Sequence, residues 1–231
     1  MQSIANNIQM LKRELDALQS QSGKNGPVTL IAVTKTVGID KVNEAIKAGI
    51  EDVGENKVQE IINKYPHSEK KINWHLIGSL QTNKVKYIID KASLIHSLDR
   101  VELAREIDKR AKAKDLIAEC LVQVNISREE SKHGVLIEDA VEFIKAAAYN
   151  YKNIRITGLM GMASFEEDPE NTRPYFQKLK NLYDTVNLLE IDGVQMKYLS
   201  MGMSNDYRVA VQEGSNMVRI GTAIFGERNY D

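Results

Sequence analysis

The stretch Leu30-Ile31-Ala32-Val33-Thr34-Lys35 begins a regular alternation of short apolar segments and amphipathic segments. Its aliphatic and β-branched residues are typical of a buried strand, and an amphipathic segment of helical period follows it. Seven further apolar segments repeat the pattern along the chain. The predicted strands are 29–34, 51–54, 74–78, 94–97, 118–125, 155–160, 197–200 and 216–219, and the predicted helices between and after them are 41–48, 56–64, 83–90, 101–114, 137–151, 172–189 and 206–213.

Strands that alternate with helices predict a parallel sheet built from helical crossovers. Eight such strands favour a closed (β/α)8 barrel, the TIM barrel, over an open doubly wound sheet. This barrel typically needs about 250 residues, and the chain has 231. We therefore predict a single α/β domain over residues 1–231. Apolar residues at helical spacing predict an additional N-terminal helix over 3–20.

The composition is that of an ordinary globular protein, with 42% hydrophobic and 27% charged residues. A formal net charge of −1 gives no overall attraction to nucleic acid or to anionic membranes. Cys120 is the only cysteine, which excludes an internal disulfide and a cysteine-cluster metal site. The N-terminus lacks the pattern of a signal peptide, and no run approaches the roughly 18 apolar residues of a membrane span. We expect a cytoplasmic protein that binds no metal, nucleic acid or membrane.

Polar residues follow the predicted strands where functional groups of such barrels collect. Lys35 ends the first strand, where burial favours the neutral, nucleophilic amine that captures a carbonyl group. Segments 199–206 and 218–226 follow the last two strands, and they offer backbone N–H groups and small hydroxyls that suit a phosphate. The loops after these two strands often hold phosphate in barrels of this kind. A lysine together with a phosphate cradle predicts a site for pyridoxal 5′-phosphate (PLP).

Six segments resemble motifs of the pyridoxal phosphate homeostasis protein family, and the resemblance runs over nearly the whole chain. They are AVTK (32–35), GEN (54–56), HLIGSLQTNK (75–84), GLMGMA (158–163), LSMGMS (199–204) and VRIGTAIFG (218–226). The resemblance implies a fold like the N-terminal barrel domain of alanine racemases, in agreement with the strand count.

The same resemblance implies a role for nine residues of this sequence. Lys35 would hold PLP as an internal aldimine, Arg219 would face the pyridine nitrogen, and Asn56 would lie beside the ring. His75 would lie behind the residues that contact the cofactor. The phosphate would be held by Ser200, Ser204, Gly221 and Thr222, together with the backbone N–H group of Met201. Which of the two serines contacts the phosphate is left open, since both could reach the same loop.

The implied partner of the ring nitrogen argues against strong catalysis. Arginine can only donate a hydrogen bond, so Arg219 would keep this nitrogen unprotonated and weaken the cofactor as an electron sink. Racemisation needs an acid/base group on each face of the substrate carbon. In alanine-racemase-like enzymes a second domain supplies one of them, and this chain ends at Asp231, after the last barrel element. Tyr207 and Tyr230 are possible local substitutes.

We therefore predict a monomeric PLP-binding protein without robust turnover, which serves intracellular PLP (vitamin B6) homeostasis and hands the cofactor to apo PLP-dependent enzymes. One alternative is a compact racemase of low activity. Another is a PLP-free barrel enzyme that forms a Schiff base between Lys35 and a phosphorylated metabolite. A weaker hypothesis places a secondary phosphate or handover site at Arg128 and Lys132, in the loop after the fifth strand.

Overall fold

The computed structural model describes residues 3–21, 26–129 and 132–226, which contain nine strands and nine α-helices. The strands are β1 (Thr29–Val33), β2 (Asp52–Glu55), β3 (Asn73–Leu76), β4 (Ala92–Leu98), β5 (Ala118–Asn125), β6 (Val135–Leu136), β7 (Ile154–Gly161), β8 (Val194–Ser200) and β9 (Met217–Ile220). The helices are α1 (Ile4–Gln21), α2 (Ile39–Lys47), α3 (Val58–Lys64), α4 (Val85–Ile88), α5 (Val101–Lys112), α6 (Ile137–Asn150), α7 (Arg173–Leu188), α8 (Tyr207–Gln212) and α9 (Thr222–Phe225).

Eight of these strands close into a barrel. Around the ring the order is β1-β2-β3-β4-β5-β7-β8-β9, and β9 returns to β1, with every neighbouring pair parallel. The helices between consecutive strands make the crossovers that parallel pairing requires. The predicted (β/α)8 barrel is confirmed. All eight carboxyl ends point the same way, so the residues that follow them share one end of the barrel.

The differences from the predicted elements are local. The two-residue strand β6 pairs with the end of β5 and was not predicted, because two residues carry no periodic signal. The predicted helix 83–90 is shorter, since a 3₁₀ turn over Thr82–Lys84 precedes α4. The four-residue helix α9 was likewise too short to predict.

Side chains inside the barrel form their own buried cluster, which contains Ile31, Leu94, Leu121, Met160 and Met217. Alternate residues of a strand share a face. On β4, β5 and β9, the residues two positions after Leu94, Leu121 and Met217 therefore also face the barrel interior. Those following side chains are His96, Gln123 and Arg219, and all three are buried. The barrel interior thus becomes polar toward its carboxyl end.

The predicted N-terminal helix is α1, which packs against the barrel's outer helices. It buries Ile8, Leu11 and Leu15. The side-chain amide of Asn7 donates to the carbonyl of Ile224 in α9 at 2.9 Å, which ties the helix to the end of the described chain. Within 3–21, 26–129 and 132–226, none of the helices is long and apolar enough to cross a membrane.

Candidate functional site

A cavity of about 520 Å³ lies at the carboxyl ends of the barrel strands, a size typical of a small-molecule site. Six of the nine predicted residues line it: Lys35, Asn56, Ser204, Arg219, Gly221 and Thr222. They follow or end strands that are far apart in the sequence, and closure of the barrel brings them together. Lys35, Lys132 and Arg219 place three cations around this cavity, and no Asp or Glu is among its described lining residues. The charge favours an anionic ligand.

Lys35 lies on a tight turn that directly follows β1. The N–H group of Val37 donates to the carbonyl of Thr34 at 2.9 Å, which closes the turn. Thr36 has a φ of 64°, a left-handed conformation that costs a non-glycine residue about 1 kcal/mol or more. The N–H group of Thr36 donates to a carboxylate oxygen of Glu60 at 3.3 Å. This bond helps to hold the backbone from which Lys35 enters the cavity.

A buried acidic cluster lies behind this turn. Glu55 Oε1 accepts hydrogen bonds from Thr34 Oγ1 at 2.5 Å and from Lys64 Nζ at 2.7 Å. Lys64 Nζ also donates to Glu60 Oε2 at 3.2 Å and to the Thr34 carbonyl at 2.8 Å. Glu55 Oε2 is buried and accepts from no described donor. Burial and a side-chain hydrogen bond with Glu60 raise the pKa of Glu55 to about 8, so that Glu55 is mostly protonated at neutral pH.

Asn56 reaches the cavity because two loops approach each other very closely. A Cβ atom at Gly78 would lie 2.2 Å from the carbonyl oxygen of Asn56, so only glycine fits at this position. Gly78 belongs to the loop after β3, and both residues line the cavity. The predicted place of Asn56 beside the ligand thus depends on a glycine on a neighbouring loop.

Arg219 extends from the interior face of β9 to the floor of the cavity. Its Nη1 donates to Ser200 Oγ at 2.7 Å and its Nη2 to the carbonyl of Gly161 at 3.0 Å. Burial lowers the pKa of the guanidinium to about 10, which still leaves it charged at neutral pH. Among the described residues no carboxylate forms an ion pair with it. A buried cation of this kind is costly unless a ligand or fixed dipoles compensate it.

Three predicted site residues do not line the cavity. The Met201 N–H group donates to the carbonyl of Met217 at 3.2 Å within the barrel, and its predicted contact with the phosphate stays a prediction. Ser200 is fully buried, and its hydroxyl is engaged by Arg219 instead. Of the two serines, Ser204 is therefore the one that lines the cavity. His75 is buried in the barrel interior, with His96 and Asp52 as its partners.

Several residues that line the cavity are not among those predicted from the sequence. Gln123 is the clearest, because it interrupts the apolar strand β5 at an inward-facing position, and such a polar residue is a usable signal. Its Nε2 donates to the carbonyl of His133 at 3.1 Å, while its buried Oε1 accepts from no described donor. Met162, His133 and Asn205 also line the cavity, and they lie on loops whose course periodicity does not indicate.

Arg128 and Lys132 have different surroundings. Arg128 is exposed and pairs with Glu138 at 3.1 Å. Lys132 Nζ donates to Glu129 at 2.8 Å and to the carbonyl of Ala163 at 3.2 Å, and Lys132 lines the cavity. It also lines a wider groove of about 1250 Å³, which shares Asn56, Ser79, Lys132 and His133 with the cavity. The secondary site predicted for this pair stays a prediction.

PLP fits these observations on the chemistry of the donors. A lysine amine, a buried guanidinium and a loop of small hydroxyl and glycine residues face one cavity. When bound, PLP supplies an aldehyde, a pyridine nitrogen and a phosphate, which match these three groups in turn. Gly221 and Thr222 lie at the start of α9, where backbone N–H groups lack partners within the helix.

Comparisons with known proteins point the same way. Residues 3–229 match the family model described as alanine racemase, N-terminal domain. A "Pyridoxal phosphate homeostasis protein" of Aquifex aeolicus is 41% identical over 97% of this chain and 100% of its own length. One of Escherichia coli K12 is 34% identical over 100% of this chain and 99% of its own.

Solved structures agree on the fold. The structure of PipY from Synechococcus elongatus PCC7942 "with PLP bound" has a TM-score of 0.83 at 28% identity, covering 97% of this chain and 100% of that one. An alanine racemase of Clostridium difficile 630 has a TM-score of 0.70 at 16% identity and covers 95% of this chain but 56% of the racemase chain. The latter likeness concerns the barrel alone.

Proposed function

This chain belongs to the pyridoxal phosphate homeostasis protein family, and from that premise we propose that it binds PLP in the cavity at the carboxyl end of its barrel. It serves intracellular PLP (vitamin B6) homeostasis by holding the cofactor reversibly. The observation that carries the proposal is the lining of the cavity. There a lysine amine, a buried guanidinium and a glycine- and hydroxyl-containing loop face one another with no carboxylate among the described lining residues.

Each end of the cofactor has a proposed partner. Lys35 Nζ is the amine that binds the aldehyde covalently, and Arg219 faces the ring nitrogen. Asn56 lies beside the ring. Ser204, Gly221 and Thr222 bind the phosphate, and the two buried residues Ser200 and His75 act behind Arg219 rather than on the cofactor. Residues 1–231 are proposed to form one PLP-binding domain.

We further propose that the protein has no robust catalytic turnover. Arg219 can donate but not accept a hydrogen bond, so it favours an unprotonated ring nitrogen and a weak electron sink. A candidate acid/base group, Tyr207, is engaged elsewhere, since its hydroxyl donates to Glu14 Oε2 at 2.9 Å on the outer side of the barrel. The other candidate, Tyr230, lies outside the described residues.

Delivery of PLP to apo PLP-dependent enzymes is the proposed outcome of this binding, with the protein acting as a monomer in the cytoplasm. The groove that adjoins the cavity supports this idea, because it widens the entrance on the side lined by Lys57, Lys84 and Arg100. Lys132 lies where the groove and the cavity meet. Replacement by alanine slows PLP transfer to an apo-enzyme if that residue takes part in handover, and unchanged transfer kinetics remove it from the proposal.

The first test is the visible absorption spectrum of the purified protein with added PLP, before and after borohydride reduction. We expect a band that reduction fixes covalently to Lys35. Lys35→Ala loses it, while Lys57→Ala, a matched change of a nearby lysine that does not line the cavity, retains it. A protein that stays colourless with added PLP overturns the proposal and favours a PLP-free enzyme that acts on a phosphorylated metabolite.

A second test separates holding from catalysis. The optical rotation of L-alanine or L-serine is followed in the presence of the purified, PLP-loaded protein, with Lys35→Ala as the control. We expect no loss above the control. A Lys35-dependent loss of rotation identifies a racemase of low activity instead.

A further inference from the structure

A continuous row of hydrogen-bonded side chains, here called the polar chain, crosses the barrel interior to the cofactor cavity. Asp52 Oδ1 lies 2.9 Å from His75 Nε2, and His75 Nδ1 lies 3.0 Å from His96 Nε2. His96 Nδ1 lies 3.3 Å from Ser200 Oγ, which accepts from Arg219 Nη1 at 2.7 Å. The polar chain thus comprises Asp52, His75, His96, Ser200 and Arg219.

The polar chain spans the barrel from one end to the other. Asp52 is the first residue of β2, at the amino end, where it and His75 line a small pocket of about 270 Å³. Ser200 is the last residue of β8, at the carboxyl end. The side chain of Asp52 is 20% exposed, whereas His96 and Ser200 are 0% exposed. A perturbation at the amino end is therefore connected to the cofactor cavity through buried groups alone.

When both imidazoles are neutral, the chemistry of the two ends fixes the direction of every hydrogen bond between them. Arg219 can only donate, and an ionised Asp52 can only accept. Although burial opposes it, hydrogen bonds from His75 and Asn73 and the charge of His75 keep the pKa of Asp52 below its usual range. The Ser200 hydroxyl must then donate to His96 Nδ1, and both histidines must carry their proton on Nε2.

His96 is neutral in this arrangement. Burial, together with the charges of His75 and Arg219, lowers its pKa well below the usual value. A neutral imidazole with one donor and one acceptor nitrogen satisfies both of its neighbours, which a buried polar group requires. Hydrogen bonds that run in one direction also polarise one another, so each strengthens the next.

We propose that Asp52, His75, His96 and Ser200 are positioning residues for Arg219, which fix the guanidinium beneath the cofactor and couple the ring nitrogen to the opposite end of the barrel. The inference rests on the proposed function, because Arg219 acts on the cofactor only if PLP binds as proposed. Ser200 binds Nη1 and Gly161 binds Nη2, so the guanidinium is held in one orientation. The rest of the polar chain sets the direction in which the Ser200 hydroxyl points, and so orients the lone pairs that accept this bond.

The first experiment measures histidine tautomers in the protein without PLP, by the ¹⁵N chemical shifts of the imidazole nitrogens. We expect His75 and His96 both to carry their proton on Nε2. In Asp52→Asn the amide can accept from His75 or donate to it, so the direction is no longer fixed and a second tautomer is populated. An Nδ1–H tautomer of His96 in the wild-type protein overturns the proposed direction.

The second experiment measures the Kd for PLP and the pH midpoint of the visible absorption band. Ser200→Ala removes the acceptor of Arg219 Nη1, and a lost hydrogen bond to a buried charged group raises the Kd about tenfold or more. Asp52→Asn, at a partly exposed position far from the cavity, shifts the pH midpoint of the band. A merely structural role leaves that midpoint unchanged.

Ser97→Ala is the matched control for Ser200→Ala. Ser97 is also fully buried, it follows His96 in β4 and faces the other side of the strand, and its hydroxyl has no described partner. We expect wild-type Kd and pH midpoint for this variant. If the wild type forms the band and both polar-chain variants, correctly folded by circular dichroism, match it in Kd and midpoint, this inference is wrong and the proposed function stands. If the wild type forms no band, the proposed function itself has failed.

Discussion

The carboxyl pair behind Lys35 makes the stability of this protein depend on pH in an unusual direction. Burial raises the pKa of Glu55 from 4.5 to about 8. The folded protein therefore binds this proton more tightly than the unfolded chain does. The stabilisation is fully present below the unfolded pKa, and it is lost as the pH rises through the folded pKa. From the size of the pKa difference, full deprotonation of Glu55 lowers the free energy of unfolding by about 5 kcal/mol.

Other groups limit the useful pH window. Burial acts to raise the pKa of Glu60, but Glu55 and Lys64 lower it below its usual value. Glu60 therefore affects the stability of the folded protein only in acid, below the unfolded pKa of a carboxyl. His96, whose pKa burial lowers, destabilises the folded state below about pH 6.5, where an unfolded histidine is protonated. Between about pH 7 and about pH 9 the change at Glu55 dominates. Deprotonation of Glu55 lowers the free energy of unfolding by about 1 kcal/mol in that interval, which lowers the Tm by about 3 °C.

Glu55→Gln isolates this effect. Glutamine has the same shape, its Nε2 can donate to Glu60 as the protonated acid does, and its Oε1 can accept from Thr34 and Lys64. Thermal unfolding followed by circular dichroism should show a wild-type Tm that falls from about pH 7 to about pH 9 and a variant Tm that stays flat. Equal slopes for the two proteins would refute the assignment of the proton to Glu55.

Three further predictions concern other parts of the barrel. Gly158→Ala places a Cβ atom 1.8 Å from the carbonyl oxygen of Tyr198, so urea unfolding should show a loss of about 3 kcal/mol or more, or no folded protein. Burial raises the pKa of the Cys120 thiol and keeps the side chain out of solvent. Dithionitrobenzoate should therefore label Cys120 only as fast as the protein unfolds globally, and faster labelling would contradict this prediction. Tyr207→Phe removes the bond to Glu14 and should cost about 1 kcal/mol while PLP binding is unchanged; weaker binding would place Tyr207 in the site.

The sequence predicts the barrel well because both of its signals are local. Alternating apolar and amphipathic segments locate all eight barrel strands, and polar residues at strand ends locate Lys35 and Arg219 near one cavity. Orientation within a strand end is harder to predict. Ser200 is the last residue of β8, and only the three-dimensional register shows that its hydroxyl faces Arg219 in the interior rather than the phosphate loop. For the same reason the sequence does not reveal that the Met201 N–H group donates to the carbonyl of Met217 in β9.

The polar chain shows what periodicity cannot provide. Asp52, His75 and His96 come from three neighbouring strands, and each looks unremarkable in the sequence. Asp52 reads as the polar start of a strand, and each histidine as an isolated residue among apolar ones. Their contact depends on the register of the pairs β2–β3 and β3–β4, including the shift between Trp74 and His75. A register offset by one residue would turn His75 to the outer face and break the polar chain.

Two groups of residues adjoin the site: the acidic cluster behind Lys35 and the polar chain beneath Arg219. Both place their negative charges outside the cavity. Behind Lys35, Glu55 holds a proton, so the cluster's remaining charges are those of the Lys64–Glu60 ion pair, which has no net charge. Beneath Arg219, Ser200, His96 and His75 separate the guanidinium from the carboxylate of Asp52. The cavity therefore keeps Lys35 and Arg219 without a carboxylate among its described lining residues. A ligand that brings its own phosphate supplies the missing negative charge, and it stabilises the folded state in proportion to the logarithm of its concentration. This charge balance supports the proposal that the cavity holds PLP, which carries the negative charge that the lining lacks.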